Sequence, residues 1–348
     1  MKRFLRILLI LLILLAAFVL QILHSGGFFR KVVPGFEGNI IQKINLPGAE
    51  DIAISREDRF LIVSSDDRAS RWGKGKPRQG GLFMIDLSAE SFTPKLLTGA
   101  FDSPFYPHGI SLLRLDSALH QILAINHANG GHTIEVFLLY GDSLVYEKTL
   151  ADESMISPND VVAISVNAFY FTNDHRHTSG TWRLMEDYLG LRQSNVVYAS
   201  GSSYREVDHG IAYANGINYD PTRNLLFVAS PRDFLIKVYS VNSQGDLTFI
   251  EDIQAGTGVD NIEFDDSGNL WIGAHPNLMK FASYAAGKSE KAPSEVIQVT
   301  YRGIGDYEVS SVFLDDGAII SASTVAVPFT NLIFIGNVMD NELVVWKR

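Results

Sequence analysis

Polar side chains, most of them carboxylates and amides, recur at one point of a repeating pattern, beside the start of short apolar segments. The five residue pairs at this point are Glu50-Asp51, His108-Gly109, Asn159-Asp160, Asn215-Gly216 and Asp260-Asn261. Carboxylate and amide oxygens are the ligands that Ca2+ takes in sets of about six to eight, whereas Zn2+ favours His and Cys. One such residue alone more often completes a turn. Five at equivalent positions predict a calcium site, with these oxygen donors: Glu50, Asn159, Asn215, Asp260 and Asn261.

The histidines offer a second kind of chemistry. His108 lies in the segment FYPHGIS, and His127 ends the apolar segment QILAINH of the same repeat. Both could reach one pocket, where one ring would orient and tune the other. The alternative for His127 is a backbone hydrogen bond without a catalytic part. A structural role is favoured for the other histidines that follow apolar segments, namely His175, His177 and His275, and the sequence identifies no partner for His132 or His209.

Six apolar segments of similar pattern define the repeat that positions these residues. They are FLIVSS (60–65), QILAINH (121–127), AFYFTND (168–174), NLLFVAS (224–230), NLWIGAH (269–275) and NLIFIGN (331–337). Their centres are roughly 45 to 60 residues apart, which is the size of a four-stranded propeller blade. The pattern predicts an all-β fold, a six-bladed β-propeller. The innermost strand of each blade would line the axis and bring the polar pairs into one ring.

Other local patterns are interpreted as connections between strands. Residues 182–191 (WRLMEDYLGL) have the only helical spacing after the N-terminal segment, with Trp182, Met185 and Leu189 on the apolar side, and are expected to lie over one end of the propeller. Residues 265–268 (DDSG) resemble a calcium loop but are interpreted as a hairpin turn, as are residues 141–144 (GDSL). The sequence has no G-x-S-x-G, P-loop or dinucleotide-binding motif.

Composition limits the class of protein and its chemistry. Hydrophobic residues make up 46% of the 348 residues, enough for a substantial core, and no linker divides residues 31–348, so these are predicted to form one domain. The formal net charge of -10 argues against nucleic acid as a partner and suits a protein that binds cations. The absence of cysteine excludes disulfides, thiolate metal ligands and cysteine nucleophiles.

Residues 1–30 have the pattern of a targeting or anchoring segment. Lys2, Arg3 and Arg6 precede an unbroken apolar run over residues 7–20. We interpret residues 1–30 as an uncleaved signal anchor that crosses the membrane; a cleaved signal peptide is the alternative. The basic residues would stay in the cytoplasm. The domain that follows is therefore expected on the extracytoplasmic side, periplasmic or extracellular, or secreted if the segment is removed.

Several motifs give the chain a resemblance to a known family. They are FYPHGIS, NDVVAI followed by FYFTNDH, LMEDYLGL with NVVYAS, YANGIN, VDNI, LWIGAHPNLMK and STVA. In their order and spacing, over about residues 38–346, the chain resembles the paraoxonase/arylesterase family. The resemblance implies a six-bladed propeller with two calcium ions in its central tunnel. It implies that the catalytic ion is bound by Glu50, Asn159, Asn215, Asp260 and Asn261.

The resemblance also assigns a second ion and a histidine pair. It implies a deeper, structural calcium bound by Asp51, Asp160 and the backbone carbonyl of Ile110, and a catalytic pair formed by His108 and His127. Animal members of the family close the propeller with a disulfide, but the matching regions near residues 39 and 345 have no cysteine. Closure is therefore expected to rely on strand pairing and packing. The loop at residues 66–78 does not match closely, so substrate preference is not carried over.

Together these observations predict a calcium-dependent hydrolase that acts on small carboxylic esters and lactones. Calcium would polarise the substrate carbonyl, His108 would deprotonate the attacking water, and His127 would relay the proton. Two alternatives stay open: a calcium-stabilised propeller that binds a ligand or a protein, and an enzyme of the gluconolactonase type with the same architecture. The histidine pair favours the hydrolase, since a binding module has no need of it.

Overall fold

Six antiparallel sheets form a six-bladed β-propeller in the computed structural model, which describes residues 1–73, 79–128 and 131–348. Each sheet has four strands, except that the fifth blade gains a short fifth strand at its outer edge. Between neighbouring blades lie hydrophobic clusters, each built from the facing sides of two sheets. The predicted fold class is confirmed.

The elements follow the chain in blade order. The N-terminal elements are α1 (Lys2–Ser25), β1 (Gly35–Phe36) and β2 (Asn39–Asn45). The first blade contains β3 (Ala49–Ser55), β4 (Phe60–Ser65), the helix α2 (Arg68–Trp72), β5 (Gly81–Asp86) and β6 (Lys95–Leu96). A short 3-10 turn (Thr98–Ala100) leads to the second blade, which contains β7 (Pro107–Asp116), β8 (Leu119–Asn126), β9 (Thr133–Tyr140) and β10 (Ser143–Leu150). The third contains β11 (Pro158–Ser165), β12 (Ala168–Asn173), α3 (Gly180–Leu189), β13 (Ser194–Ser200) and β14 (Ser203–Ile211).

The last three blades complete the ring. The fourth contains β15 (Ile217–Asp220), β16 (Leu225–Ser230), β17 (Leu235–Val241) and β18 (Leu247–Gln254). The fifth contains β19 (Gly258–Phe264), β20 (Leu270–His275), α4 (Leu278–Ala285), β21 (Ser294–Gly303) and β22 (Asp306–Asp315), and β1 pairs with β22. The sixth contains β23 (Ser323–Phe329), β24 (Leu332–Asn337) and β25 (Glu342–Lys347). Its outer edge is β2 from the other end of the chain.

The six apolar segments found in the sequence are the second strands of the six blades. These strands are β4, β8, β12, β16, β20 and β24, and nearly every residue in them is buried. They are apolar on both faces because each blade is packed between two neighbours, so neither face meets water. The repeat therefore predicted both the number of blades and the position of one strand in each.

Strand pairing closes the propeller, as expected for a chain without cysteine. β2 runs antiparallel to β25, with Asn39 opposite Lys347 and Ile44 opposite Leu343. The core behind this seam joins the sixth blade to the first, and Ile44, Phe334 and Val345 are among its fully buried members. The seam thus combines a hydrogen-bonded ladder with apolar burial, which together replace a covalent closure.

The helices after the N-terminal segment agree only in part with the prediction. The expected helix is present as α3, and it ends at Gly190, whose left-handed backbone (φ 63°) lets its N–H donate to the Glu186 carbonyl. Glu186 is its buried residue, whereas Trp182, which the sequence places on the apolar side, and Leu184 are more than half exposed. Glu186 turns inward because it accepts from the Arg176 N–H and bonds to His177.

The helix α4 was missed, and the expectation of a single helix after the N-terminal segment was wrong. Asn277 directly precedes α4, and its side chain accepts a hydrogen bond from the Lys280 N–H. An amide residue at this position is a helix start signal that the sequence does contain. The two turns at residues 141–144 and 265–268 are hairpin turns, as predicted; Asp265 accepts from the backbone N–H groups of Ser267 and Asn269.

Candidate active site

Irregular pairing marks the start of the innermost strand in five of the six blades. The register of each strand against its neighbour slips between these residues: Ala49 and Asp51, Pro107 and Ile110, Pro158 and Val161, Val259 and Ile262, Ser323 and Ala326. A β-bulge turns side chains away from the regular alternation, and bulges are common next to active sites. The polar pairs found in the sequence lie in these irregular stretches, except Asn215-Gly216, which directly precedes β15. The irregularities therefore aim polar side chains at the axis.

The polar pairs divide between two spaces. A pocket of about 770 Å3, here called the upper pocket, is lined by Glu50, Asn159, Asn215 and Asp260, among other residues. A smaller space of about 220 Å3, here called the lower cavity, is lined by these residues, among others: Asp51, Ile110, Asp160 and Glu263. Neighbours along the chain can face different spaces, since Asn159 lines the upper pocket and Asp160 lines the lower cavity. Of the five donors that the resemblance assigns to one ion, all but Asn261 line the upper pocket, and the three residues that it assigns to the other ion line the lower cavity.

The five oxygen donors of the upper set share an unusual property. Each has one buried side-chain oxygen without a hydrogen-bond partner among the described residues: Glu50 Oε2, Asn159 Oδ1, Asn215 Oδ1, Asp260 Oδ1 and Asn261 Oδ1. A buried polar atom without a partner costs about 1–3 kcal/mol. Five such atoms would be costly unless a cation satisfies them. Hard oxygens with two carboxylates among them fit Ca2+, and the described residues hold no cluster of three or more His, Cys, Asp or Glu placed for a metal.

Four of these five side chains are also held by neighbouring residues. The amide Nδ2 of Asn261 donates to Glu50 Oε1 over 3.1 Å, and Nε2 of His275 lies 2.8 Å from Asp260 Oδ2. The Asn159 amide donates to Asp174 Oδ2 over 3.4 Å. In Glu50 and Asp260 one carboxylate oxygen is hydrogen bonded and the other has no partner. In Asn159 and Asn261 the amide NH2 group is hydrogen bonded and the amide oxygen has no partner. This is the arrangement expected of preoriented metal ligands, whose outer partners fix them.

The sixth blade contributes a residue that sequence reasoning missed. Thr324 lies in the irregular stretch at the start of β23, and its Oγ1 donates to the backbone carbonyl of Glu50 over 2.6 Å. The signal was present, because Ser323-Thr324 occupies the same point of the repeat as the five polar pairs. Thr324 joins the last blade to the first at the level of the ring.

Two glycines allow the innermost strands to approach one another. A Cβ atom on Gly109 would lie 2.5 Å from the Asp160 Cα, and one on Gly216 would lie 2.4 Å from the Asp260 carbonyl oxygen. Contacts under 3 Å of this kind exclude any side chain. The second residue of these two pairs is therefore glycine because the neighbouring backbone fills the place of its side chain.

The lower cavity joins innermost strands through carboxylates. Asp51 Oδ2 accepts from the Ile110 N–H over 2.7 Å, and Asp160 Oδ2 accepts from the Ile217 N–H over 2.7 Å. Burial raises the pKa of Asp51 and of Asp160 well above the usual range, and for both the nearby carboxylate charges act in the same direction. Burial also raises the pKa of Glu263 to about 8. The lower cavity is thus a place where negative charge is costly without a cation.

Three histidines form a continuous chain beside the ring. His108 Nε2 lies 3.3 Å from Glu50 Oε1, and His108 Nδ1 lies 2.7 Å from His127 Nε2, so the two predicted partners are brought together. His127 Nδ1 in turn lies 2.7 Å from His132 Nδ1. The sequence identifies no partner for His132, and the structure places its ring against His127. The spacing of residues in the sequence does not reveal this contact.

The surroundings of His127, His132 and Glu50 set the direction in which the pKa of each is shifted. Burial, together with the nearby His108, His132 and Arg68, lowers the pKa of His127 well below its usual range. Burial also lowers the pKa of His132. Burial would raise the pKa of Glu50, but His108, Arg68 and Asn261 outweigh this effect and lower it. Glu50 is therefore a carboxylate and His127 a neutral imidazole near pH 7.

The three histidines for which a structural role is favoured, and the exposed His209, have carboxylate neighbours. Burial would lower the pKa of His175, but its hydrogen bonds to Asp174 (2.7 Å) and Asp187 (2.8 Å) raise it to about 9. His177 is hydrogen bonded to Glu186 on α3. His275 holds Asp260, and the exposed His209 lies 3.4 Å from Glu206. Of these residues, His275 and Asp174 line the upper pocket.

The loop at residues 66–78, which does not match the family closely, is described only in part, because residues 74–78 lie outside the described residues.

The walls of the upper pocket are mostly apolar on one side. This wall is formed by α4 with Leu278, Met279, Phe281, Ala282 and Ala285. Ile22 near the end of α1 and Leu184 of α3 also line the opening. The N–H of Leu278 donates to the Gly26 carbonyl, which ties α4 to the end of α1. A ligand in this pocket would meet polar groups at the floor and apolar groups at the mouth.

Known proteins share both the sequence pattern and the fold. A family model described as Arylesterase matches residues 31–345. Serum paraoxonase/arylesterase 1 of Homo sapiens is 35% identical over 313 residues, which cover 88% of this chain and 87% of that protein. Serum paraoxonase/arylesterase 2 of Gallus gallus is 31% identical over 304 residues, 85% of this chain and 85% of that protein.

Solved propellers are similar in shape but distant in sequence. The calcium-binding protein regucalcin of Agrobacterium tumefaciens superposes with a TM-score of 0.53 at 12% identity, covering 91% of this chain and 95% of that one. A luciferin-regenerating enzyme superposes with a TM-score of 0.56 at 10% identity, covering 91% and 96%. At such identities the likeness concerns the fold alone.

Proposed function

Since the chain belongs to the arylesterase family and is an ester hydrolase, we propose that it hydrolyses carboxylic esters and lactones at the floor of the upper pocket with calcium and a histidine pair. One coincidence carries the proposal. Five buried oxygens lack a hydrogen-bond partner among the described residues, and Nε2 of His108 lies 3.3 Å from the side chain that bears one of them, Glu50. Family membership favours this enzyme over a propeller that only binds a ligand or a protein.

Two calcium ions are proposed, one for each space. The catalytic ion would be held by Glu50, Asn159, Asn215, Asp260 and Asn261, and a structural ion by Asp51, Asp160 and the backbone carbonyl of Ile110. Each set contains two carboxylates, which balance one divalent cation. When bound, the catalytic ion would supply Lewis-acid polarisation of the substrate carbonyl and stabilise the charge that develops on its oxygen.

The histidine pair would supply the base. A water molecule that attacks the carbonyl carbon would give its proton to His108 Nε2, while His108 Nδ1 passes a proton to His127 Nε2 across the 2.7 Å contact. His127 can accept it because its lowered pKa keeps the ring neutral before the reaction. The apolar wall of α4 would hold the hydrocarbon part of the ester and exclude bulk water from it.

The proposal is tested by activity on a panel of substrates. The full chain, purified in mild detergent, is expected to hydrolyse phenyl acetate and at least some members of a series of five- and six-membered lactones. The series should vary the length of the alkyl substituent, because the apolar wall predicts that longer chains lower KM. A chain that is folded, loaded with calcium and inactive on every ester and lactone would contradict the proposal.

For localisation we propose that α1 anchors the chain in a membrane with the propeller on the extracytoplasmic side. α1 is long and apolar enough to cross a bilayer, and none of its residues is buried against the propeller. Its basic residues lie at the outer N-terminal end, the pattern that keeps this end in the cytoplasm. The proposed division is a segment of residues 1–30 and a domain of residues 31–348.

Removal of α1 is expected to release the protein from membranes. The full chain should stay in the membrane pellet after carbonate extraction, whereas a variant lacking residues 2–25 should appear in the soluble fraction. Protease added to intact cells, or to cells with a permeabilised outer membrane, should digest the propeller of the full chain. N-terminal sequencing of the mature protein distinguishes anchoring from cleavage, and a start after residue 25 would contradict the anchor.

A further inference from the structure

We propose that His132 is the outer member of a three-histidine relay that carries the proton released in each turnover from the floor of the upper pocket toward solvent. The inference rests on the proposed function of His108 and His127. It concerns the next step, namely where the proton goes after the pair has received it. His132, which also lines the upper pocket, would then be a relay residue and not the group that takes the proton from water.

The geometry of the three rings is that of a through-connected chain. Each ring is entered through one nitrogen and left through the other. His108 receives at Nε2 and gives from Nδ1, and His127 receives at Nε2 and gives from Nδ1, over contacts of 2.7 Å on both sides. His132 receives at Nδ1, which leaves its Nε2 as the far end. An imidazole moves a proton in this way because one nitrogen gains it as the other loses it.

The proton balance of ester hydrolysis requires such an exit. At neutral pH an ester and water give a carboxylate, an alcohol and one proton. The bond from water oxygen to the acyl carbon forms, and the bond from that carbon to the leaving oxygen breaks. The alkoxide takes one proton, and the second proton of the original water must leave the site. A pair that ended at His127 would have to hold this proton inside the pocket.

Charged groups act on the relay along its length. Arg68 of α2 faces the inner part of the relay, and its charge opposes a proton on His127. Asp174, after β12, faces both His127 and His132 and favours a proton on either. Glu50 is the carboxylate at the inner end, 3.3 Å from His108. His132 is only partly buried, so it can exchange its proton with water.

The experiment separates a relay from a merely structural support of the His127 ring. In His132→Ala and His132→Gln, kcat on phenyl acetate at low buffer concentration is expected to fall about tenfold, with KM changed less than about twofold. Added imidazole, and a larger buffer of similar pKa such as HEPES, should restore most of kcat as their concentration rises, because they collect the proton at His127. Wild type and His209→Ala, an exposed histidine variant, should show no dependence on buffer concentration.

Each result of this experiment either supports the relay or overturns it. An unchanged kcat, or a fall that no buffer reverses, overturns the relay, and so does rescue by imidazole alone, since imidazole could simply fill the space of the lost ring. Thermal unfolding of both His132 variants must match wild type within a few degrees, and the Gln variant retains bulk if the Ala variant is unstable. An inactive wild type would instead overturn the proposed function, so the two failures are distinguishable.

Discussion

Removal of calcium with EGTA is expected to abolish ester hydrolysis and to lower the melting temperature of the full chain. The five buried oxygens of the upper set have no hydrogen-bond partner among the described residues, and burial raises the pKa of Asp51 and Asp160 below them. Loss of the ion would remove the main charge that stabilises an oxyanion, an effect of about 10²–10³ or more on kcat. Saturation at 100 times Kd contributes about 2.7 kcal/mol to the free energy of unfolding, equivalent to several degrees in Tm.

Substitutions should separate the two proposed ions. Asp260→Asn keeps the shape and an oxygen but removes one charge, so activity should require a higher calcium concentration while Tm changes little. Asp51→Asn should lower Tm more than it lowers kcat, because it weakens the link that Asp51 makes between the first blade and Ile110. The matched control is Asp142→Asn, an exposed acid in a hairpin turn, which should behave as wild type. Calcium content is measured by mass spectrometry of the metal.

Unchanged turnover in protein shown to be free of calcium would contradict the metal mechanism. A loss of activity that parallels global unfolding would show only a structural need, so circular dichroism is recorded at the temperature of the assay. If Asp260→Asn and Asp51→Asn affected kcat and Tm in the same proportion, the division between an upper catalytic ion and a lower structural ion would be wrong.

The six blades were predictable because one apolar strand of each recurs at a similar interval along the sequence. A strand packed between two blades must be apolar on both faces, so β4, β8, β12, β16, β20 and β24 stand out in the sequence. The ring of donors was predictable for a related reason. When one strand of each repeat lines an axis, equal positions in the sequence become neighbours in space, and polar residues there are conspicuous against apolar surroundings.

The missed features depend on local geometry that has no period. His132 contacts His127 across the connection between β8 and β9, and Thr324 contacts the Glu50 carbonyl from the irregular start of β23. The inward side of α3 could not be derived from its apolar residues, because this helix buries Glu186 against the Arg176 N–H and His177. Helical spacing reports which residues share a side; only the neighbour decides which side is buried.

The closing seam explains why the lower cavity should matter for stability. A disulfide would hold the first and last strands together even when the ladder between β2 and β25 opens, and this chain has none. The carboxylates of Asp51 and Asp160 each bridge from one innermost strand to the next, and a cation between them would link three blades at the axis. We therefore expect the calcium-free protein to open first at the seam.

Replacement of His108 by Gln is expected to lower kcat/KM for phenyl acetate by about 10²–10³ while leaving Tm within a few degrees of wild type. The Gln side chain has nearly the reach of the ring, so packing beside Glu50 is kept. It cannot take a proton from water, because an amide nitrogen is not basic.

His127→Gln should lower kcat/KM less than His108→Gln does, since His127 receives the proton only after His108 has done so. The matched control is the exposed His209→Gln. The decisive measurement is kcat at saturating calcium in strong buffer, where a defect in proton exit is suppressed and only the loss of the base remains. A His108→Gln variant with near wild-type kcat under these conditions would place the base elsewhere, because no exogenous buffer can reach a water held at the floor of the pocket as closely as Nε2 does.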